Sequence, residues 1–323
     1  MQSSTYTVDT AARLDAFLSS ELGVTRNQVA QLIKQETVTV DGKSVTKPGL
    51  KLKGGENVTV TFPEAKETPP LEVDFDVEIV YEDDDLLVIN KPSGVTVHPA
   101  PSVKEATLVD WLKHKGVRLS TISGEERHGI VHRLDKGTSG LMVVAKNNET
   151  HEALSQQLQN KSMGRYYLAV ITPPLKEELT FIDKPIGRSP SNRLKMANVT
   201  HGKEASTLFS KLLLSRDEKR ELIACKLFTG RTHQIRVHLE TMSRHIIGDH
   251  LYGSGAALEK VARILLHAYV LYFEHPVTKK RVTFAAPIPD AMRDYLTKHF
   301  ETENLDEIIA SDRIEHYFSN YTF

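Results

Sequence analysis

His132-Arg133-Leu134-Asp135-Lys136-Gly137-Thr138-Ser139-Gly140 is followed at once by the apolar run Leu141-Met142-Val143-Val144-Ala145. The first nine residues have the composition of a glycine-containing loop, and the apolar run predicts a buried strand directly after it. Asp135 lies in that loop between two cationic residues. This pattern favours a carboxylate that stays ionised at the rim of a sheet. An isolated aspartate in a turn is more often a helix cap or a solvated group, so its interpretation depends on the rest of the chain.

The length and composition predict a globular protein of two domains. The chain has 323 residues, of which 40% are hydrophobic and 26% charged, and this is long for one hydrophobic core. It contains no run of about 18 apolar residues, so we expect no transmembrane helix and no membrane partner. The first residues lack the basic start and apolar core of a secretory signal. Cys225 is the single cysteine, which excludes an internal disulfide and favours a reducing, cytoplasmic location.

The net charge of -1 conceals an uneven distribution. Residues 64–85 carry ten acids and one lysine, and residues 299–323 carry six acids and one arginine. Between residues 86 and 298, 32 lysines and arginines stand against 20 acids, a net charge of +12. A basic body between acidic segments can attract a polyanion.

The hydrophobic pattern predicts a small N-terminal domain over residues 8–62. Apolar residues recur at helical spacing over 12–18 and 26–34. Asp41-Gly42 predicts a tight hairpin turn, and residues 58–62 alternate as a closing strand.

Three further segments follow in the predicted organisation. Residues 63–76 form an acidic, proline-containing linker, residues 77–300 form the second domain, and residues 301–323 form an acidic C-terminal tail. The second domain mixes helices and strands without a regular repeat, which predicts an α+β fold. Its predicted strands cover 86–89, 141–145, 166–171, 199–214 and 222–228, and its predicted helices cover 108–114, 150–161 and a segment that begins at residue 230.

An ordered set of motifs runs through this domain: Ile89–Gly94 with His98-Pro99, Gly129–Gly140, Arg165–Ala169, Leu227–Leu239, Gly248-Asp249 with Tyr252-Gly253, and Leu266-His267-Ala268. Together they resemble the RluA-type RNA pseudouridine synthases, and most of all the RluD-like group of that family. Arg165 departs from the family pattern, because lysine is more usual there. The N-terminal domain is similar to the alpha-L RNA-binding module.

The resemblance implies a cofactor-free isomerisation of uridine and a central, mainly antiparallel sheet. Asp135 would either attack the ribose or start glycal formation, and the resemblance leaves both routes open. Arg236 would pair with Asp135 and favour its charged form. Tyr167 would stack on the uracil and accept a proton in the glycal route. No dinucleotide-binding or phosphate-binding loop motif occurs in the sequence.

The resemblance also implies that the target base leaves the RNA helix, since a stacked base cannot be reached. Arg133 would take the place of the extruded uridine. The other expected substrate contacts are His132, Arg231, His233 and Gln234. The expected phosphate contacts of the N-terminal module are Arg13, Arg26, Lys34, Lys43 and Lys47. His128 with His132, and His233 with His238, have a spacing compatible with metal binding. Both pairs lack an acidic ligand setting, so we expect no metal site.

The resemblance implies that the partner is large-subunit ribosomal RNA or a ribosome precursor. Transfer RNA, alone or as a second substrate, is the main alternative. A non-catalytic RNA-binding protein of ribosome assembly would not need Asp135, Tyr167 and Arg236 together. A metal-dependent nuclease would need clustered acids, whereas the acids here concentrate in the linker and the tail.

Overall fold

A computed structural model of the chain describes residues 2–22, 26–62, 71–100, 103–120, 128–253 and 259–319. The chain forms two compact units, residues 1–70 and 71–323. Most of the expected linker, residues 63–70, lies outside the described residues. Within the described ranges, no helix has the length and apolar character needed to span a bilayer.

The N-terminal unit packs two helices against a four-stranded antiparallel sheet. The sheet has the order β1-β6-β3-β4, and β2 pairs with β5. The strands are β1 (Gln2–Thr7), β2 (Ala12–Arg13), β3 (Val38–Val40), β4 (Lys43–Ser44), β5 (Lys51–Leu52) and β6 (Asn57–Phe62), and the helices are α1 (Leu14–Glu21) and α2 (Arg26–Lys34).

The predicted hairpin between β3 and β4 is confirmed. Asp41 and Gly42 both have positive φ, 48° and 76°, as a tight hairpin turn requires. The sequence did not predict β1, which pairs with β6 along its whole length. Its residues are mainly serine and threonine, so it lacks the apolar alternation that identifies a strand.

The second unit is built on a ten-stranded sheet. The strands of this unit are β7 (Glu78–Glu82), β8 (Leu86–Lys91), β9 (Ser139–Ala145), β10 (Gly164–Thr172), β11 (Leu179–Asp183), β12 (Ile186–Arg188), β13 (Met196–Asn198), β14 (Ser206–Leu214), β15 (Glu221–Leu227), β16 (His245–Ile246), β17 (Leu266–Glu274) and β18 (Arg281–Ala285). Of these, β12 and β13 pair with each other in a separate two-stranded sheet. Its helices are α3 (Leu108–His114), α4 (Asn148–Gln159), α5 (Gln234–Glu240), α6 (Asp290–His299), α7 (Leu305–Ile308) and α8 (Ser311–Tyr317).

The fold is α+β, as predicted, and the sheet is mainly antiparallel. Its main path runs β11-β14-β15-β10-β17-β9-β8-β7, with β16 beside β10 and β18 beside β17. The pairing of β9 with β17 is parallel, and the other pairings along the path are antiparallel. The strand that follows the Asp135 loop therefore lies inside the sheet.

Strand β10 shows why the sheet is apolar on both faces. Tyr167, Ala169 and Ile171 belong to a hydrophobic cluster that also contains residues of α3 and α5. Tyr166, Leu168 and Val170 alternate with them and belong to a second cluster with residues of α6 to α8. Because successive side chains of a strand point to opposite faces, one strand supplies both cores.

Three predicted boundaries require correction. The predicted strand 199–214 begins only at Ser206, after the separate short strand β13. The helix expected from residue 230 begins at Gln234, because His233 before it adopts a left-handed conformation with φ 58°. The expected acidic tail instead forms α7 and α8, whose Leu305 and Ile314 are buried against the second cluster.

Asp83 links the turn between β7 and β8 to the turn between β17 and β18. Its carboxylate accepts hydrogen bonds from the backbone N–H groups of Asp85 and Leu86, both at 2.9 Å. It also accepts one from the Tyr81 hydroxyl at 2.8 Å and lies 2.7 Å from His275 Nε2. Burial alone would raise the pKa of Asp83, but these hydrogen bonds outweigh it and lower the pKa to about 2.

We predict that Asp83→Asn lowers the free energy of unfolding by about 2 kcal/mol at pH 7. Because the folded pKa lies below the unfolded value, this stabilisation is present above about pH 4 and is lost as the pH falls towards 2. Urea unfolding at pH 7 and at pH 3 measures the difference. Asp84→Asn, an exposed neighbour, is the control. Equal losses for both variants, or a loss that does not depend on pH, would contradict the assignment.

Candidate active site

The loop that carries Asp135 is held in place on both sides. The backbone N–H of Gly94 donates to Lys136 O at 2.8 Å, and the Ser93 hydroxyl donates to Gly137 O at 2.6 Å. The turn after β8 therefore fixes the carbonyls immediately after Asp135. On the other side, His132 Nε2 accepts a hydrogen bond from the backbone N–H of Val143 in β9 at 3.1 Å.

Lys91 at the end of β8 organises the same loop from inside. Its side chain is fully buried, and Nζ donates to Pro92 O and Val95 O at 2.8 Å each and to Lys136 O at 3.4 Å. Burial, with a contribution from the charge of Arg263, lowers the pKa of Lys91 to about 7. Lys91 belongs to one of the sequence motifs. The motif alone does not indicate that the Lys91 side chain forms hydrogen bonds with both loops.

Gly140 allows the loop to enter the sheet beside β17. It has φ 117°, and an added Cβ would lie 2.2 Å from Ala268 O. Any larger residue would separate the parallel pair β9 and β17 at the point where the loop meets the sheet. This close approach sets Asp135 at the rim.

Arg236 on α5 contacts two carboxylates at once. Its Nη1 donates to Asp135 Oδ2 at 3.1 Å, so the expected ion pair is present. Its Nε and Nη2 donate to the two oxygens of Asp249, at 2.8 Å each. Asp249 also accepts hydrogen bonds from the backbone N–H groups of Leu251 and Tyr252 at 3.0 Å. The bidentate contact with Asp249 thus orients the guanidinium and leaves Nη1 for Asp135.

The electrostatics of this group favour full ionisation of Arg236 and Asp249. Burial by itself lowers the pKa of Arg236, but the hydrogen bonds and charges of Asp249 and Asp135 raise it above its usual value. Burial likewise raises the pKa of Asp249, and the guanidinium more than compensates, so that this pKa lies below its usual value. The side chain of Asp135 is 19% exposed, so one carboxylate of the group remains accessible.

His233 and Tyr252 complete the surroundings of Asp135. His233 Nε2 lies 3.9 Å from Asp135 Oδ2, and its Nδ1 lies 2.8 Å from the Tyr252 hydroxyl. The guanidinium of Arg236 stacks over the Tyr252 ring at 4.7 Å from its centre. Burial lowers the pKa of His233 despite the nearby carboxylate. The ring is therefore largely neutral at pH 7.

Tyr167 shares a cavity with Asp135 and Arg236. The same small cavity is also lined by Arg133, Arg165, His233 and Leu266. Tyr167 is 4% exposed, and burial raises the pKa of its phenol, so the hydroxyl stays protonated at neutral pH. The fold thus brings together the three predicted catalytic residues from β10, α5 and the loop before β9.

Gln234 also lines this cavity, but its amide is used within the protein. Its oxygen accepts from the Thr229 hydroxyl at 2.7 Å and from the N–H of Arg231 at 2.9 Å. Its NH₂ group donates to Ser206 O at 3.0 Å and to Thr207 Oγ1 at 2.9 Å. These four bonds fix the start of α5. We therefore assign Gln234 to the scaffold rather than to the substrate contact that the sequence suggested.

Two of the predicted substrate residues are exposed cations at the mouth of the site. Arg133 and Arg231 each line the Asp135 cavity and a second, larger cavity beside it. Nη1 of Arg133 lies 3.5 Å from Nε2 of His98. Arg231 donates from Nε to Glu204 O at 2.8 Å. His132 also borders the larger cavity, although its ring is buried.

The predicted RNA contacts of the N-terminal unit are not equivalent. Arg13 forms a bidentate pair with Asp15 at 3.0 and 2.8 Å, which offsets its charge. The other four are exposed, and no ion pair joins them to another described residue: Arg26, Lys34, Lys43 and Lys47.

Asp249 and Tyr252 were recognised in the sequence only as motif residues without a role. The signal was the sequence Gly248-Asp249 followed by Tyr252-Gly253. Its meaning depends on the position of Arg236, which lies 13 residues earlier on another element. Sequence spacing alone could not indicate that contact.

Known proteins are similar to this chain over most of its length. Residues 85–241 match the family described as RNA pseudouridylate synthase, and residues 12–58 match the S4 domain. An uncharacterized RNA pseudouridine synthase of Helicobacter pylori strain J99 is 49% identical over 95% of this chain and 95% of the relative. The ribosomal large subunit pseudouridine synthase D of Zymomonas mobilis is 39% identical, over 87% of this chain and 92% of that protein.

The fold also has a counterpart among solved structures. Human RNA pseudouridylate synthase domain containing 1 aligns with a TM-score of 0.58 and 22% identity. The alignment covers 75% of this chain and 98% of the human chain. At this identity, the likeness concerns the fold alone.

We predict that Asp249→Asn lowers the free energy of unfolding by about 3 kcal/mol, because it leaves a buried guanidinium with one carboxylate. Arg236→Met should also lower the free energy of unfolding. The loss in the double variant should be smaller than the sum of the two single losses by about 1 kcal/mol or more. Urea unfolding of the four proteins at pH 7 gives this coupling. If the losses of the two single variants add up to that of the double variant, Asp249 does not hold Arg236 in place.

Proposed function

The chain belongs to the RNA pseudouridine synthase family, and from this premise we propose that it converts specific uridines of large-subunit ribosomal RNA to pseudouridine. The observation that carries the proposal is the accessible Asp135 carboxylate, paired with Arg236 in a cavity that Tyr167 also lines. This arrangement supplies a carboxylate as nucleophile or base, a cation paired with it, and an aromatic surface.

The proposed reaction needs no group from outside the RNA and the enzyme. The bond between uracil N1 and ribose C1′ breaks, and a bond between C5 and C1′ forms. The proton lost from C5 is balanced by the proton gained at N1, so the product is an isomer of the substrate. Asp135 acts at the ribose in either route, by attack on C1′ or by removal of a ribose proton to give a glycal.

Arg236 has an electrostatic and a geometric function in this scheme. A carboxylate that is shielded from water loses hydration, and a paired cation offsets that cost. Asp249 holds the guanidinium at two points, so that Nη1 remains directed at Asp135 while the substrate enters. Asp249 is therefore a positioning residue, and Arg236 contacts the reacting carboxylate.

Tyr167 is proposed to contact the uracil directly. Its ring lies on β10, where the strand face belongs to the same hydrophobic cluster as Leu266 and Ile235. The rigid sheet fixes the ring, and an aromatic face binds a pyrimidine by stacking. The phenol is protonated at neutral pH. In the glycal route, it must therefore lose its own proton before it can accept one.

The exposed cations suit the extrusion of the target nucleotide. Arg133 and Arg231 line the cavity, and a uridine must leave its stack to enter it. We propose that Arg133 occupies the vacated space in the RNA while Arg231 contacts a phosphate. Such contacts position the RNA and do not take part in the chemistry.

The assignment to large-subunit ribosomal RNA is supported by the names of relatives. Proteins called ribosomal large subunit pseudouridine synthase D in Zymomonas mobilis and Xanthomonas campestris are 39% and 38% identical to this chain. The S4-like unit adds a second RNA contact surface that a small substrate would not require. Its exposed cations are placed for phosphates.

The direct test is incubation of purified protein with unmodified large-subunit ribosomal RNA, small-subunit ribosomal RNA and transfer RNA, followed by mapping of pseudouridine at single positions. We expect a small number of modified uridines in the large-subunit RNA. Modification confined to transfer RNA would contradict the ribosomal substrate but keep the reaction. Absence of pseudouridine in every RNA would contradict the proposed function.

We predict that Asp135→Asn lowers turnover by more than about a thousandfold, because it keeps the shape and removes the reacting charge. RNA affinity should not fall, since the Asp135 carboxylate repels phosphate and the variant removes that repulsion. Single-turnover rates and filter binding on the mapped substrate measure the two effects. Asp294→Asn, on the exposed face of α6, is the matched control. Turnover of Asp135→Asn within tenfold of the unaltered enzyme would refute the role.

We predict that Lys43→Ala combined with Lys47→Ala weakens binding to large-subunit RNA and reduces the slope of affinity against salt concentration by about 2. Turnover of bound RNA should be unchanged, because the N-terminal unit supplies no reacting group. The control is Lys176→Ala combined with Lys298→Ala, which removes two exposed lysines of the other unit. An unaltered slope would show that these lysines do not contact phosphate.

A further inference from the structure

The proposed reaction uses only the smaller of two adjoining cavities. The larger one has a volume of about 560 Å³ and lies beside the Asp135 cavity. The two share a boundary that includes Arg133, Arg165, Gly230 and Arg231. A cavity of this volume is large enough for a small-molecule ligand, and three arginines on the shared boundary indicate an anionic one.

Arg165 is the unusual member of this boundary. The residue is 7% exposed, and no ion pair joins it to another residue in the described part of the chain. Its Nε is buried and has no hydrogen-bond partner among the described residues. A buried guanidinium without a carboxylate is costly unless an anion from outside completes the site. Arg165 borders both cavities, so this anion would lie where they meet.

His132 supplies a second buried donor. The residue is 8% exposed, and burial keeps the pKa of its ring well below the usual value, so the ring is neutral. Nε2 accepts the hydrogen bond from Val143, which places the proton of the neutral ring on Nδ1. That Nδ1 has no acceptor within the described ranges. His132 lines the larger cavity and therefore offers an unused hydrogen-bond donor beside it.

The rest of the larger cavity is apolar on one side. Leu158, Met163, Leu227 and Phe228 contribute to its wall. A flat base can pack against the aromatic and aliphatic side chains of this wall. A phosphate can accept hydrogen bonds from the buried cationic and polar donors. A nucleotide therefore satisfies both parts of the cavity at once.

We propose that the larger cavity binds the nucleotide next to the target uridine, with the phosphate that links the two nucleotides held by Arg165 at the shared boundary. This inference rests on the proposed function, because it takes the uridine to occupy the Asp135 cavity. The enzyme would then hold two consecutive nucleotides out of the RNA stack. The neighbour would contribute to the choice of site and help to keep the target extruded.

The test uses synthetic RNAs that carry the mapped uridine. One RNA is intact, and two others have an abasic residue on the 5′ or the 3′ side of the target. We expect the unaltered enzyme to lose about tenfold or more in kcat/KM on one abasic RNA, the loss expected for one stacked base.

Leu158 lines the larger cavity but not the Asp135 cavity, so Leu158→Trp fills the larger one. We expect this variant to process intact RNA as slowly as the abasic RNA and to be insensitive to the abasic residue. Gln159→Trp, on the exposed side of the same wall, should give the same insensitivity and covers the case in which Leu158→Trp fails to fold. Val277 lies in the turn between β17 and β18 and lines neither cavity. Val277→Trp should therefore lose as much kcat/KM on the abasic RNA as the unaltered enzyme does.

The phosphate is tested with a methylphosphonate at each linkage beside the target. The unaltered enzyme should lose about tenfold or more at one linkage, since a neutral linkage removes a charge-assisted contact. Arg165→Met should lose a similar factor in kcat/KM on normal RNA. Its kcat/KM should no longer depend on which of the two linkages carries the methylphosphonate. Arg165→Lys keeps the charge without Nε and should retain part of the discrimination.

The outcomes separate this inference from the proposed function. Absence of turnover on intact RNA by the unaltered enzyme would refute both. Normal turnover that neither abasic residue slows, or an abasic effect that remains undiminished in both tryptophan variants, would refute the nucleotide site alone.

Discussion

The geometry of the site depends on Arg236, whose guanidinium forms hydrogen bonds with two carboxylates at once. Arg236 gives two of its donors to the buried Asp249 and one to the accessible Asp135. Without Asp249, the guanidinium would be free to form a bidentate pair with Asp135. Asp249 therefore both orients the cation and limits how closely it binds Asp135, because the two hydrogen bonds to Asp249 keep Nε and Nη2 in place.

The sheet supplies the rigidity that this arrangement requires. Asp135 lies in a loop fixed by backbone contacts to the turn after β8 and by Gly140 against β17. Tyr167 lies on β10, next to β17, and Arg236 lies on α5 over the same face. The opposite face is covered by α6 to α8. Since both faces are packed, the strands that position these three groups cannot shift independently.

In the proposed complex, the two adjoining cavities give the site a direction along an RNA strand. Asp135, Tyr167 and Arg236 border the smaller cavity, His132 borders the larger one, and Arg165 borders both. Hydrogen-bond donors that find no acceptor inside the protein are costly to bury. Their presence at this position is consistent with a site whose hydrogen bonds are completed by substrate. The scaffold residue Gln234, in contrast, has every amide bond satisfied within the protein.

The sequence determined the α+β class and most elements of both units, and it proposed Asp135, Tyr167 and Arg236 as catalytic residues, because apolar periodicity and ordered motifs are local properties. It missed β1, whose polar residues become a strand only by pairing with β6. It treated α7 and α8 as a tail, because acidic residues concealed the few apolar side chains that pack. It assigned Gln234 to substrate and gave no role to Asp249 or Lys91. These assignments depend on contacts between residues distant in the chain, such as Lys91 with Lys136, and only the tertiary structure decides which groups meet.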